Sequence, residues 1–147
     1  MKYDEYNYPD DLYYDKRHFW ARSDGDLVTM GMTDYAVKSS GDLVYVEVVS
    51  VGKKVIQDKA CMSVESGKWV GRVYAQVSGI LAEVNEELEF DPTLVNKDCY
   101  GEGWLVKIKM EKPEEMKNLM PASEYEAWIG KEIERQKKLA AKQTGGA

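Results

Sequence analysis

Between residues 41 and 110 apolar and polar positions alternate in short runs. Asp42-Leu43-Val44-Tyr45-Val46-Glu47-Val48-Val49, Ile80-Leu81-Ala82-Glu83-Val84 and Trp104-Leu105-Val106-Lys107-Ile108-Lys109-Met110 each read as a strand bounded by turn residues. Lys59 to Glu65 places Ala60, Met62 and Val64 on one parity, and the return from Trp69 places Val73, Ala75 and Val77 on one parity, so the two runs form a hairpin. Upstream, His18-Phe19-Trp20-Ala21, the turn Ser23-Asp24-Gly25-Asp26 and Leu27-Val28-Thr29-Met30 predict a first hairpin. A short helix follows, with Thr33 as N-cap, Asp34 in the first turn and Gly41 in the left-handed position past its end. The β region carries a weak internal symmetry. A strand ending in valine (Val48, Val84) leads through a loop to Gln57-Asp58-Lys59-Ala60-Cys61 in one half and to Asn96-Lys97-Asp98-Cys99 in the other, each running into a further strand. Two such units facing one another make a flattened barrel or sandwich with mutually covered edges.

The period changes after Pro113, which suits a first helical position before Glu114-Glu115-Met116. Ser123 and Glu126 form a capping-box pattern that opens a longer helix, and Tyr125, Trp128, Ile129 and Ile133 share the face that packs on the sheet. The expected class is therefore mainly β with peripheral helices, as one domain over 18–134. Residues 1–17, rich in tyrosine and acids but poor in aliphatics, are expected as a loose arm. Residues 135–147 lose the apolar stripe and are expected to fray.

At 147 residues the chain can bury a core without a staple. Its net charge of −6 argues against non-specific nucleic-acid binding and for partners with basic surfaces. No run is long and apolar enough for a membrane span, and the opening Met-Lys-Tyr-Asp-Glu-Tyr-Asn-Tyr lacks signal or transit character, so the expected location is the cytoplasm. His18 is the lone histidine, and with Cys61 and Cys99 it forms no recognised metal spacing. The two cysteines read as buried, inert thiols in preference to a redox pair. No nucleophile with a base, phosphate loop or flanking acid pair is present, which favours a carrier over an enzyme.

The candidate chemistry lies at Glu65-Ser66-Gly67-Lys68-Trp69. Gly67-Lys68 suits a two-residue type II′ turn, with Gly67 at φ > 0 and the lysine amine pointing outward at the apex of a rigid finger. A single presented amine is a natural attachment point, although a lysine at a hairpin tip by itself more often only keeps an edge soluble.

Several ordered motifs around it resemble the H protein of the glycine cleavage system. These are His18-Phe19-Trp20, Gly31-Met32-Thr33-Asp34-Tyr35-Ala36, Gly41-Asp42-Leu43-Val44-Tyr45-Val46-Glu47, Val84-Asn85-Glu86-Glu87-Leu88, Pro92-Thr93-Leu94-Val95-Asn96 and Tyr100-Gly101-Glu102-Gly103-Trp104-Leu105-Val106-Lys107-Ile108-Lys109. The resemblance spans roughly residues 15 to 130 and implies a lipoyl-domain fold of the barrel-sandwich hybrid type. It further implies lipoic acid in amide linkage to Lys68, and recognition by a lipoate ligase or lipoyl transferase through Glu65, Gly79 and Gly52. In physical terms Glu65 can hold the amine by charge, while the two glycines permit the close backbone approach that docking requires. A biotinyl carrier, which flanks its lysine with methionines, is disfavoured by Gly67 and Trp69.

The chain departs from the family at the hairpin. H proteins of glycine cleavage read Glu-Ser-Val-Lys-Ala-Ala-Ser followed by an acid, whereas this chain reads Glu-Ser-Gly-Lys-Trp-Val-Gly-Arg and places Arg72 at the acidic position. That signature resembles the lipoate-binding proteins of sulfur-oxidising heterodisulfide reductase-like systems, and the reading leans to sulfur transfer with such a complex as partner. The alternative is an aminomethyl carrier working with glycine decarboxylase, aminomethyltransferase and dihydrolipoyl dehydrogenase. A second alternative is an unmodified β-barrel interaction module. His18 reads first as a structural residue on the first strand, although the family likeness places this region near the resting cleft of the arm. Trp69 either shields the root of the tether or simply covers the hairpin.

Overall fold

The computed structural model describes residues 2–3 and 6–145. A minimal ribbon, β1 (Lys2–Tyr3) with β2 (Tyr6–Asn7), precedes β3 (Tyr13–Tyr14) and the hairpin of β4 (Phe19–Asp24) and β5 (Leu27–Met32). Helix α1 (Asp34–Ser40), β6 (Leu43–Val46), β7 (Lys54–Val55), β8 (Ala60–Ser66), β9 (Val70–Tyr74) and β10 (Gly79–Val84) follow. Two single-turn helices, α2 (Glu87–Phe90) and α3 (Leu94–Lys97), lead to β11 (Val106–Met110), a 3-10 turn at Pro113–Asn118, β12 (Met120–Pro121) and α4 (Ala122–Gly145).

The strands form one large antiparallel sheet, ordered β12-β3-β4-β5-β11-β10-β7, and a smaller one, β6-β8-β9. Their inner faces share a core in which Val28, Met30, Leu81 and Ile108 of the large sheet meet Val64 and Val73 of the small one. This is the expected flattened sandwich. The caps at α1 also follow expectation: the Thr33 side chain accepts from the Ala36 N–H, and Gly41 sits at φ +80°. The expected strand over 42–49 is shorter, four residues, and the four-residue helices α2 and α3 occupy the connection expected as a loop between the strand ending at Val84 and β11.

Residues 6–17 are packed, contrary to the loose arm expected there. Tyr8 and Tyr14 are fully buried and Leu12 nearly so, in a second cluster with Trp20, Tyr125, Ile129 and Ile133 beneath α4. The Tyr14 ring stacks on Tyr125 at 4.5 Å, and Tyr8 meets Tyr125 edge-on at 5.3 Å. Tyrosine buries as much apolar ring as an aliphatic side chain, and each such aromatic pair adds about 0.5–1.5 kcal/mol beyond area. A count of aliphatics therefore misses it. The arm is also pinned by polar contacts: the Asn7 N–H donates to Asp34 Oδ2 (3.0 Å) and Tyr100 Oη–H donates to the Asn7 carbonyl (2.6 Å).

At the other end, α4 begins at Ala122, so Ser123 lies inside its first turn, and the helix continues to Gly145 through the segment expected to fray. The apolar stripe itself ends at Ile133, and positions 134–140 are exposed. No helix of the described residues is long and apolar enough to cross a membrane.

Candidate functional site

Strands β8 and β9 run antiparallel with Glu65 opposite Val70, and the Ser66 N–H donates to the Trp69 carbonyl at 2.7 Å, so Gly67 and Lys68 form the two-residue reversal. The alternation expected along β8 breaks at its base. A bulge between Ala60 and Met62 leaves Ala60 exposed and turns both Cys61 and Met62 inward. The turn also differs from the type II′ expectation: Gly67 does not adopt a left-handed φ, unlike Gly25 (φ +63°) in the β4–β5 hairpin. Ser66 supplies the alternative, since its Oγ accepts from the Lys68 N–H at 3.4 Å and favours an ordinary right-handed turn.

Lys68 is exposed at this apex and makes no ion pair with any described residue. Its alkyl chain passes the bare face of Gly41, where a Cβ would stand 3.3 Å from Cε and 3.9 Å from Nζ. Trp69 turns away along β9, its ring lying over Gly71 so closely that a Cβ there would meet ring carbons at 2.1 Å. The indole thereby walls a groove of about 380 Å³ that Lys68 itself does not line; the lysine borders a separate open hollow with Gly41, Asp42 and Val44, and Ser40 stands between the two. Arg72 and Tyr74 continue the wall, α1 contributes Tyr35 and Ser39, and Arg17, His18, Phe19 and Met32 close it.

Most of the groove surface is apolar or aromatic, and none of its described lining residues carries a carboxylate. The Arg17 guanidinium stacks 4.4 Å over Tyr74 and bonds Asp58 at 2.8 Å, while Arg72 has no ion-pair partner among the described residues. His18 sits at φ +71°, a conformation costly for a side chain with a Cβ. Its carbonyl accepts from the Thr33 N–H (3.0 Å) and its own N–H donates to the Asp15 carbonyl (3.2 Å). Burial against Tyr35 and Trp128 holds the imidazole pKa below its usual value, favouring the neutral ring. Asp15 Oδ1 in turn accepts from the N–H groups of Arg17 and Phe19, yet desolvation lifts its pKa to about 6.

Glu65 lies next to the lysine hairpin, between Tyr45 and Val70, whereas Gly52 and Gly79 occupy the β7–β10 edge of the large sheet. Both glycines have internal reasons. Gly52 is at φ +93° and donates its N–H to the Leu81 carbonyl (2.8 Å); a Cβ on Gly79 would fall 1.9 Å from the Lys109 carbonyl oxygen. The close approach that Gly79 permits is thus realised within the sheet. Cys61 and Cys99 are buried free thiols, raised by desolvation to pKa values of about 11 and about 12, and unsuited to react near neutrality. Sequence reasoning missed Arg17, Tyr35 and Tyr74 as groove residues, because separate elements bring them together.

A family model for the glycine cleavage H-protein matches residues 12–141. The chain belongs to the glycine cleavage H-protein family. The glycine cleavage system H protein of Acinetobacter baumannii (strain SDF) is 45% identical over 123 residues, covering 84% of this chain and 99% of the relative. Glycine cleavage system H protein 4 of Aquifex aeolicus is 39% identical over 134 residues, 91% of this chain and 78% of that protein. In structure, an H protein from Mycobacterium marinum superposes with a TM-score of 0.74 at 35% identity, over 84% of this chain and 99% of the other. H proteins are carriers rather than enzymes, and bear lipoate covalently on a lysine. This H protein has features that fit such a group: an exposed, unpaired amine, the bare face of Gly41 beside it, and an adjoining apolar groove.

Proposed function

We propose that this H protein carries lipoate as an amide on Lys68 and acts as the aminomethyl carrier of a glycine cleavage system. The observation that carries the attachment site is the solitary exposed amine at a two-residue reversal. The names of its relatives support the pathway. Attachment needs Nζ in its unprotonated form. Nζ attacks the carbonyl of a lipoyl group activated by ATP as an acyl phosphate, the new C–N bond replaces the acyl–oxygen bond as the nucleotide phosphate leaves, and a proton is released, so the lysine loses its charge. When bound, the lipoyl group supplies a dithiol that is oxidised and reduced and can hold a transferred group.

The protein contributes the rest. The hairpin keeps the root stationary, Gly41 leaves room at Cε, and Trp69 seated on Gly71 walls the groove on the hairpin side. Glu65 is proposed to serve recognition by a lipoate ligase or lipoyl transferase, whereas Gly52 and Gly79, given the same role by the family resemblance, are proposed to serve the sheet itself. Glycine decarboxylase, aminomethyltransferase and dihydrolipoyl dehydrogenase are the proposed partners. Intact mass after incubation with lipoate, ATP and a ligase tests the site: wild type gains one lipoyl group and Lys68→Arg none. A gain that survives Lys68→Arg refutes it. Full biological activity of a Lys68→Arg strain would instead favour an unmodified interaction module.

A second reading keeps the lipoyl carrier but loads it with sulfur for a heterodisulfide reductase-like complex. Arg72 favours it, since an unpaired guanidinium on a groove without carboxylates suits an anionic load better than a protonated amine. The two readings separate when the lipoylated protein meets glycine and glycine decarboxylase. Aminomethyl loading by mass supports the first, and failure beside a control H protein that loads supports the second.

A further inference from the structure

The β7 edge of the large sheet carries charges of both signs and exposed apolar side chains that the site at Lys68 does not use. Strand β7 is the last of its sheet and pairs with the start of β10, Lys54 opposite Ile80. Lys53 and Lys54 are exposed there, and Ile56 follows at 52% exposure. Strand β10 runs on to Val84, where Asn85 donates to the Glu102 and Trp104 carbonyls and opens the turn of α2. Leu88 of that turn is buried, and Glu86, which has helical torsions (φ −65°, ψ −24°), falls on the opposite side with Glu89 and Phe90 at i, i+3 and i+4. Phe90 is 83% exposed. The neighbouring carboxylates Glu83 and Asp91 are matched by Lys107 and Lys97, whereas Lys53, Lys54, Glu86 and Glu89 make no ion pair among the described residues. Like charges one turn apart repel, and a bare phenylalanine gains the fold nothing. Departures of this kind from local stability mark a surface that is used.

We infer that this edge is the interface of a homodimer, in which a twofold axis brings Lys53 and Lys54 of each protomer onto Glu86 and Glu89 of the other, with Ile56 and Phe90 adding apolar contact. The charge order selects a second copy of the chain as the occupant. A face that is basic at one end and acidic at the other, with roughly 13 Å of extended strand from Ile80 to Val84 between them, fits its own copy when turned through 180°. Each end then meets its opposite, and the contact forms twice. A foreign partner would have to carry the same two signs in reverse order at the same spacing. The dimer leaves the attachment site open, since β7 and β10 belong to the large sheet and Lys68 closes the β8–β9 reversal of the small one.

The test is sedimentation equilibrium of the full chain at concentrations up to about 1 mM, so that even a millimolar self-affinity registers. The mass of the wild type is expected to rise with concentration from 16.8 kDa toward twice that value. Salt at about 0.5 M, which screens exposed charges, is expected to weaken the association several-fold. Phe90→Ser should weaken it by about tenfold or more, as for the loss of an aromatic anchor. The variants Lys53→Glu/Lys54→Glu and Glu86→Lys/Glu89→Lys, each checked for folding by circular dichroism, should stay monomeric alone, because each meets its own copy with a single sign. Mixed together they should form a 1:1 dimer, since both contacts are then complementary. A wild type that stays monomeric at about 1 mM overturns the inference. So does a charge-reversed variant that dimerises alone, or a mixture of the two that does not associate. Should either reversal fail to fold, the salt series on the wild type and Phe90→Ser decide, and an association unmoved by both overturns the assignment to this edge.

Discussion

Replacing Gly79 by alanine separates two explanations for one residue. If the glycine serves the sheet, the cost appears in stability; if it serves enzyme docking, the cost appears only in lipoylation. An alanine Cβ would lie 1.9 Å from the Lys109 carbonyl oxygen, 2.8 Å from its carbon and 3.1 Å from Ile108 Cγ2. That is about 1.4 Å short of the ~3.3 Å at which a carbon and a carbonyl oxygen come to rest. The obstacle is backbone held in register between β10 and β11, so no rotamer change relieves it. Overpacking costs about 1–3 kcal/mol, and each ladder hydrogen bond lost adds about 1 kcal/mol. A total near 3 kcal/mol lowers Tm by roughly 6–12 °C in a domain of this size. Thermal unfolding by circular dichroism reads the shift, and lipoylation rates measured well below the variant's Tm are expected to approach wild type. A Tm within about 2 °C of wild type, equivalent to under 1 kcal/mol, together with abolished lipoylation would refute the reasoning and return Gly79 to the docking surface.

Gly67→Ala should be neutral or stabilising by about 0.4–1 kcal/mol, because Gly67 is not left-handed and a Cβ there meets nothing within 4 Å; a Tm drop of several degrees would restore the type II′ turn. Asp15→Asn tests the carboxyl raised to about 6 from its ordinary 3.8. Between those values the folded chain keeps a proton that the unfolded chain has lost, so stability falls as pH rises through the window, by on the order of 3 kcal/mol at most. Asparagine Oδ1 still accepts from Arg17 and Phe19, so the variant should lose that slope and gain stability at pH 8; an unchanged difference between urea midpoints at pH 4 and pH 7 would refute it. Cys61 and Cys99 should resist an aromatic disulfide reagent in the native protein and react, two per chain, in denaturant; rapid native reaction of either would contradict their burial.

The parts legible in the sequence are those with a local cause. Thr33 and Gly41 cap α1 because their chemistry acts within one turn, and Trp128, Ile129 and Ile133 follow the helical period. Lys68 at a reversal is legible from the strands on either side. The bulge at Cys61 was hidden, because two successive inward residues in an alternating strand look like an ordinary apolar run. The packed arm was hidden because its apolar content is carried on Tyr8 and Tyr14, and because its anchors, Asp34 and Tyr100, are far along the chain. The groove was hidden for a similar reason: Arg17, Tyr35 and Tyr74 become neighbours only once β4, α1 and β9 are assembled. Helices α2 and α3, at four residues each, are too short for any period to register.

The clasp at Asn7 has a practical corollary for anyone immobilising this carrier on a bead or joining it to a reporter. Asn7 is tied through Asp34 to the first turn of α1, the helix that lends Tyr35 and Ser39 to the groove, so a load pulling on the leading segment is transmitted to the pocket wall. The outer turns of α4 past Ile133 bury no side chain through position 140, and a handle grafted there leaves the hairpin and its surroundings mechanically undisturbed.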